Sequence, residues 1–490
     1  MDILHHTKSK TTEELLQKEN WKEILYSILP ESANPLFVFP NEMIPGASIW
    51  SYLKLWKEFY RELNLSSGEV IGIHLPTDSS FLGSFLAGLW EDLSVACIPF
   101  GKGSLDSSIV SLRPKWIVTL DEDSNESLKQ IGYERVLNSS VPDSRAHLFR
   151  RIAFSREISD NVRLFLKSSG TSGAQKWVGL SDSSIFHNLR THLEAFPKKG
   201  STVGSVLPWT HSFGLVLDFF PSLLRSSTVI KYVSSSFDLE ECFEFLNSFP
   251  IRHLSGVPSF FSRIRNLPGG SEFLESLESG IVGGAPISSS LAKHLRNTKL
   301  RVGYGQTEAG PGITLGEPGD FDFGYLGKPV RCEVKIDSES GSLLFRGKNA
   351  SSLEIDSSGC VNYFFPEEWR ATGDIVRKES DGYFFIGRTT DHFKLQNGTF
   401  LSPFPIESSI TELLDLPWAF VFQSQDLKTI CILPDDTSPE RKDRILSGWK
   451  ETFPWIEELF FAPQDIVSFS AKGEILRSIS KSNVERWLHS

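Results

Sequence analysis

Between residues 70 and 304 short apolar runs alternate with helix-length amphipathic segments, and this alternation restricts the fold more than any other feature of the chain. Residues 70–75, 95–100 and 113–120 read as strands, with a helix over 48–63 before them and another over 79–90 between the first two. Strands joined through helices return in the same direction, so such units build a parallel sheet with helices on its faces. A second run repeats the grammar: strands at 203–208, 227–233, 253–257, 280–284 and 300–304, with helices at 214–224, 239–247 and 289–296. The expected class is therefore α/β, built of doubly wound β-α subdomains. Beyond Gly310 the pattern changes to strands and hairpin turns over 330–386, including Gly341 and Asp381-Gly382, which predicts a small antiparallel β-barrel or sheet packed on the α/β body. The last hundred or so residues mix strands (418–423, 429–433) with helices (440–449, 480–489), an α+β unit. Residues 1–45 carry one short helical pattern, 13–29, and read as a lead-in.

Composition excludes several functions. A net charge of −11, from 50 basic and 61 acidic residues, argues against a nucleic-acid binder, since phosphate backbones are held by basic stripes. Cys97, Cys242, Cys332, Cys360 and Cys431 lie far apart with no CxxC pair, so neither a zinc ribbon nor a disulfide scaffold is expected, and a reducing cytoplasm fits. No apolar run has the length of a signal or of a membrane span. At 490 residues two or more domains are expected.

Two stretches carry chemistry. From Ser168 to Lys176 the chain reads Ser-Ser-Gly-Thr-Ser-Gly-Ala-Gln-Lys. Gly170 and Gly173 free the backbone so that successive N–H groups can face an anion, Ser168, Ser169, Thr171 and Ser172 add hydroxyl donors, and Lys176 adds charge. This is the inventory of a phosphate loop. The apolar run 162–166 before it reads as a strand, which would put the loop at a strand's carboxyl end, where open α/β sheets bind ligands. The spacing is not that of a P-loop, which needs a hydroxyl residue after the lysine. A Ser/Gly linker is the alternative. The second stretch, Val302-Gly-Tyr304-Gly305-Gln306-Thr307-Glu308, exposes an aromatic, an amide, a hydroxyl and a carboxylate at a strand end. Tyr304 can stack on a purine, Thr307 can donate to a phosphate oxygen, and Glu308 can hold Mg²⁺. Any strand end is the alternative.

Further stretches follow in order: Ser67-Gly-Glu-Val70, Leu207-Pro-Trp209-Thr-His211-Ser-Phe213-Gly214, Gly256-Val-Pro258, Gly283-Gly284-Ala285-Pro286, Gly327-Lys-Pro329, Trp369-Arg-Ala-Thr-Gly-Asp374, and Asp381-Gly-Tyr383 through Gly387-Arg388. As a colinear series they resemble the acyl-adenylate-forming (AMP-binding) superfamily of acyl-CoA synthetases, luciferases and peptide-synthetase adenylation domains, over nearly the whole chain. The resemblance implies a large domain over 1–388 with the ATP and carboxylate site, and a small mobile domain over 389–490 that turns about a hinge at Thr390. It implies that Ser168 to Gly173 and Lys176 hold the departing pyrophosphate with Mg²⁺ bound near Thr171 and Glu308, and that Gly283, Gly284 and Ala285 pass close to adenine and acyl group. Asp374 would accept from both ribose hydroxyls, Arg388 would reach ribose or phosphate oxygens with its fork, and His211 would sit beside the carboxylate and the acyl pocket.

The function so implied is activation of a carboxylic acid, fatty or aryl, by ATP to an acyl-AMP, then transfer to the thiol of coenzyme A. Transfer to the phosphopantetheine of an acyl carrier protein is the alternative within enzymes. The chain departs from the family in three places. Thr390 stands where Asp or Lys is usual, and one extra residue separates Lys394, which on this resemblance would belong to the thioester-forming face, from Gly398, a form similar to long-chain acyl-CoA synthetases and carboxylate reductases. Glu474 stands where a lysine usually approaches the α-phosphate. Two unit charges of like sign about 4 Å apart repel by roughly 1 kcal/mol even in water, so Glu474 cannot do that work. Either Lys472 does it through a local bulge, or the chain is a nucleotide- or acyl-binding protein with impaired adenylation.

Overall fold

The computed structural model describes residues 11–29, 37–101, 104–121, 124–137, 141–152, 161–169, 175–234, 237–395, 398–435, 438–470 and 473–488. The expected alternation produces, among these residues, a nine-stranded sheet whose centre is parallel. Ser94–Cys97 lies between Leu164–Ser169 and Val70–His74, which is followed by Trp116–Thr119. Successive residues point to opposite faces of a strand, so Ile71, Val95 and Val118 enter one core while Val70, Ala96 and Ile117 enter another. The helix Ser79–Trp90 starts where Asp78 accepts from the backbone N–H groups of Ser80 and Phe81, and it buries nearly all of its length against the first core.

A five-stranded sheet holds Phe37–Phe39, Thr228–Lys231, Thr202–Ser205 and His253–Ser255 in parallel, with Glu42–Ile44 antiparallel at its edge. A third sheet of eight strands begins with the parallel pair Ile281–Gly283 and Arg301–Gly305 and continues antiparallel through Gly312–Leu315, Tyr325–Pro329, Gly382–Arg388, Arg370–Glu379, Ser342–Arg346 and Glu333–Ile336. The expected antiparallel unit is thus continuous with α/β strands. Two of its short members, Leu353–Ile355 and Val361–Tyr363, leave it and extend the nine-stranded sheet beside Gln175–Leu180.

The N-terminal segment is more than a lead-in. Its helical pattern divides into Thr12–Gln17 and Trp21–Ile28 because Asn20 caps the second helix, accepting from the Glu23 backbone N–H at 3.1 Å. Leu16, Trp21, Ile24 and Leu25 are buried in the same core as Ile71 and Phe85. At the other end, residues from 393 onward build two cores of their own, one around Ile410, Val421 and Cys431 and one around Phe420, Ile432 and Val484. Phe404 bridges to the body, its ring 5.2 Å from that of Phe323 and 5.0 Å from that of Phe385. Among the described residues no helix is long and apolar enough to cross a membrane.

The C-terminal unit is pinned by one buried carboxylate. Glu407 accepts from the Val421 backbone N–H at 2.7 Å and from Arg477 at 2.5 Å, and Arg477 also meets Asp391 at 3.1 Å. Removing one partner of a buried pair costs about 3 kcal/mol, because the other charge stays buried without a counter-ion. Arg477→Ala should therefore destabilise this unit by about that amount. Hydrogen exchange should rise across Pro403–Leu414 and Thr429–Pro434 and stay unchanged across Val70–His74. Uniform loss over both regions would contradict a separately stabilised unit.

Candidate active site

Ser168 and Lys176 are not loop residues. They face each other across the antiparallel pair Leu164–Ser169 and Gln175–Leu180. Gly170, Thr171, Ser172 and Gly173, and the side chain of Ser169, lie outside the described residues. The described flanks converge on Glu308 in the single-turn helix Thr307–Ala309. Its Oε1 lies 2.7 Å from Lys176 Nζ and accepts from Ser168 Oγ at 2.9 Å. Lys176 Nζ also donates to Glu354 Oε2 at 2.8 Å, and the other oxygen of Glu354 is paired with Arg370. Arg370 in turn donates to Ser351 Oγ at 2.6 Å and lies 3.9 Å from the Phe364 ring centre. Burial raises the Glu308 carboxyl, but the Lys176 ammonium and the Ser168 hydroxyl outweigh it and hold the group below its ordinary value. The two carboxylates likewise hold Lys176 above its ordinary value against its burial.

A second cluster sits at the other side of the same strand end. Tyr304, on Arg301–Gly305, donates its hydroxyl to Asp374 Oδ2 at 2.8 Å. Asp374 and Arg388 are register partners on Arg370–Glu379 and Gly382–Arg388, with Arg388 Nε 3.6 Å from Asp374 Oδ1. Burial pushes the Asp374 carboxyl up to about 6, with Glu474 and Asp391 adding to the effect and Arg388 and the Tyr304 hydroxyl opposing it. Burial together with the Asp374 charge holds the Tyr304 hydroxyl well above its ordinary value. Glu474 Oε1 lies 2.9 Å from Arg388 Nη2.

Thr307 Oγ1 shares a 3.0 Å hydrogen bond with Ser212 Oγ, which places the exposed His211 one residue away. The aromatic setting expected of His211 is only partial: Trp209 is fully buried and turns into the core, 4.7 Å from Phe219 and 5.6 Å from Phe37 between ring centres. Gly283 ends its strand so close to the neighbouring one that an added Cβ would lie 2.4 Å from the Gly303 carbonyl oxygen, so its small size already serves strand packing. Gly284 and Ala285 follow on the turn, and Gly305 and Gln306 lead from Tyr304 to Thr307. Lys394 stands apart on the hairpin Phe393–Lys394 and Phe400–Leu401, its ammonium 5.7 Å from the Phe400 ring centre. Lys472 lies outside the described residues.

Sequence reasoning missed Glu354, Arg370 and Ser212. Arg370 and Ser212 stand inside stretches that the sequence singles out for Asp374 and His211, so the signal existed but pointed to a neighbour. Glu354 has none, because it reaches the site only through the pairing of Leu353–Ile355 with Gln175–Leu180.

A family model described as AMP-binding enzyme matches residues 106–352. Acyl-CoA ligase AKT1 of Alternaria alternata is 27% identical over 359 residues, 63% of this chain and 60% of that protein. The 4-coumarate–CoA ligase-like 6 of Arabidopsis thaliana is 25% identical over 334 residues, 58% of each. The chain thus spans about three-fifths of the length of these relatives. ATP-bound MatB from Rhodopseudomonas palustris superposes with a TM-score of 0.76 at 18% identity, covering 96% of this chain and 99% of that one, and shows the same fold.

The charge network makes a testable statement about pH. A carboxyl whose folded value lies below its unfolded one, near 4.5 for Glu308, adds stability that is full above that pH and is lost as pH falls through the folded value. Lys176→Met removes the charge responsible. The variant should lose about 3 kcal/mol at pH 7, and the gap to wild type should narrow below pH ~4.5 in urea unfolding. A gap that stays constant down to pH ~3 would dismiss the pair as a source of stability.

Proposed function

The chain belongs to the AMP-binding enzyme family, and from that premise we propose that it joins a fatty or aryl carboxylic acid to AMP at the expense of ATP, releases pyrophosphate, and passes the acyl group to the thiol of coenzyme A. The observation that carries this reading is the strand end at Tyr304 to Glu308. From one side of it Tyr304 holds Asp374, and from the other Glu308 holds Lys176 and Ser168. The groups that hold an acceptor suited to a ribose diol and a cation suited to a phosphate chain, Tyr304 and Glu308, are therefore set four residues apart on one segment.

Each residue then has a definite task. Asp374 in its charged form accepts from the two ribose hydroxyls, and Arg388 adds a donor fork beside them. The substrate carboxylate attacks the α-phosphorus, and the bond to the bridging oxygen breaks with its electrons leaving on pyrophosphate. Lys176 turns from its two carboxylates toward that leaving charge, while Thr307 and Ser212 supply hydroxyl donors next to it. Glu308 and the Ser168 hydroxyl present oxygen ligands of the kind Mg²⁺ takes, the remainder coming from phosphate and water, and the ion would neutralise charge on the phosphate chain. In the second step the thiol sulfur attacks the acyl carbonyl carbon and AMP leaves. Lys394 serves that step, brought round by a turn of residues 389–490 about Thr390.

Pyrophosphate exchange into ATP, measured over a panel of carboxylic acids, tests the first step. Exchange should depend on the acid, and Asp374→Ala should lower it about ten- to hundredfold, the loss of a charge-assisted hydrogen bond. No exchange with any acid, in a protein that still binds ATP, would leave a nucleotide-binding protein and no ligase. For the second step, Lys394→Ala should keep acyl-AMP formation and slow thioester formation, as read by mass spectrometry with and without coenzyme A. Equal loss of both steps would remove Lys394 from the thiol-transfer face.

A further inference from the structure

Arg388 puts its guanidinium beside Asp374, and a carboxylate from the C-terminal unit already holds it. Described residues on both sides fix Glu474: the Ser470 backbone N–H donates to the Glu474 carbonyl at 2.8 Å, Phe469 and Ile475 form an antiparallel bridge, and Gly473 has φ 82°. Gly473 is pressed against the body, since a Cβ added there would lie 2.8 Å from that of Ser259. Glu474 is one-quarter exposed, and its pair with Arg388 is short, at 2.9 Å. The contact crosses between units with separate cores, because Arg388 ends a strand of the body while Glu474 follows the C-terminal strands.

On the reading given above, in which Arg388 reaches ribose or phosphate oxygens, a nucleotide seated on Asp374 offers its α-phosphate charge to the same guanidinium. Phosphate and carboxylate then compete for one cation and repel each other. Coupling between two such events is reciprocal: whatever factor the docked Glu474 takes from nucleotide affinity, the nucleotide takes from docking. We propose that the Glu474–Arg388 pair is a latch that nucleotide phosphate opens, so that nucleotide binding and docking of residues 389–490 on the body oppose each other. A lysine at the same place would make them cooperate. The latch rests on the nucleotide reading of Asp374 and Arg388 given above.

Calorimetric titration of the full chain with AMP and with adenosine, which carries no phosphate, tests the latch. Glu474→Gln should tighten AMP about fivefold, the equivalent of ~1 kcal/mol between unit charges about 4 Å apart in water, and should leave adenosine within about twofold. Glu474→Lys should tighten AMP further. Hydrogen exchange at residues 473–477 gives a second readout: AMP should raise it in wild type and lower it in Glu474→Lys. Unchanged AMP affinity in both variants, an equal gain for adenosine, or protection of those residues by AMP in wild type would overturn the latch while leaving the nucleotide site standing. Asp374→Ala separates the two ideas. Loss of adenosine binding there keeps the site, whereas undiminished binding of both ligands would overturn the nucleotide reading and the latch with it.

Discussion

Four buried or half-buried charges, Lys176, Glu308, Glu354 and Arg370, sit where the nine-stranded and eight-stranded sheets meet, and the geometry of the site depends on their balance. Lys176 and Glu354 belong to paired strands of one sheet, while Arg370 opens a long strand of the other and Glu308 sits on the turn after Arg301–Gly305. Removing any of them would leave a charge in low dielectric without compensation. The same network therefore closes the seam between sheets and presents Lys176 and Glu308 at one place. Structural and chemical demands on these residues cannot be separated by looking at either alone.

The α/β grammar was legible because apolar period reports burial directly: the helices Ser79–Trp90 and Leu239–Asn247 stand where the pattern puts them. Long-range pairing was not legible. Leu353–Ile355 is a three-residue strand in a stretch of hairpins, and only its partner Gln175–Leu180 moves it into the other sheet. The Ser/Gly composition around Gly170 reads as loop throughout, yet Ser168 and Lys176 are paired strand residues, because composition marks the turn but not the ladder on either side.

The site shows the same division. Tyr304, Thr307, Glu308, Asp374 and Arg388 stand out by type and by place in ordered stretches. Their partners emerge only in three dimensions, as with Glu354 and Ser212. Tyr304 stands out as a stacking ring, and what the sequence does not show is that its hydroxyl also donates to Asp374, which orients the ring and keeps the acid in place. Glu474 looked like the loss of a cation. In the folded chain it is one half of an ion pair with Arg388, a partner that its place in the sequence does not show.

The strand Phe37–Phe39 lies between Thr228–Lys231 and Glu42–Ile44, and its parallel partner is roughly 190 residues downstream. At a synthesis rate of ~5–20 residues per second, roughly 10–40 s separate the emergence of the two partners from the ribosome. For that interval the apolar strand has only its antiparallel neighbour Glu42–Ile44 and no parallel partner. The parallel part of the five-stranded sheet thus cannot take in its first-made strand until Thr228–Lys231 has emerged.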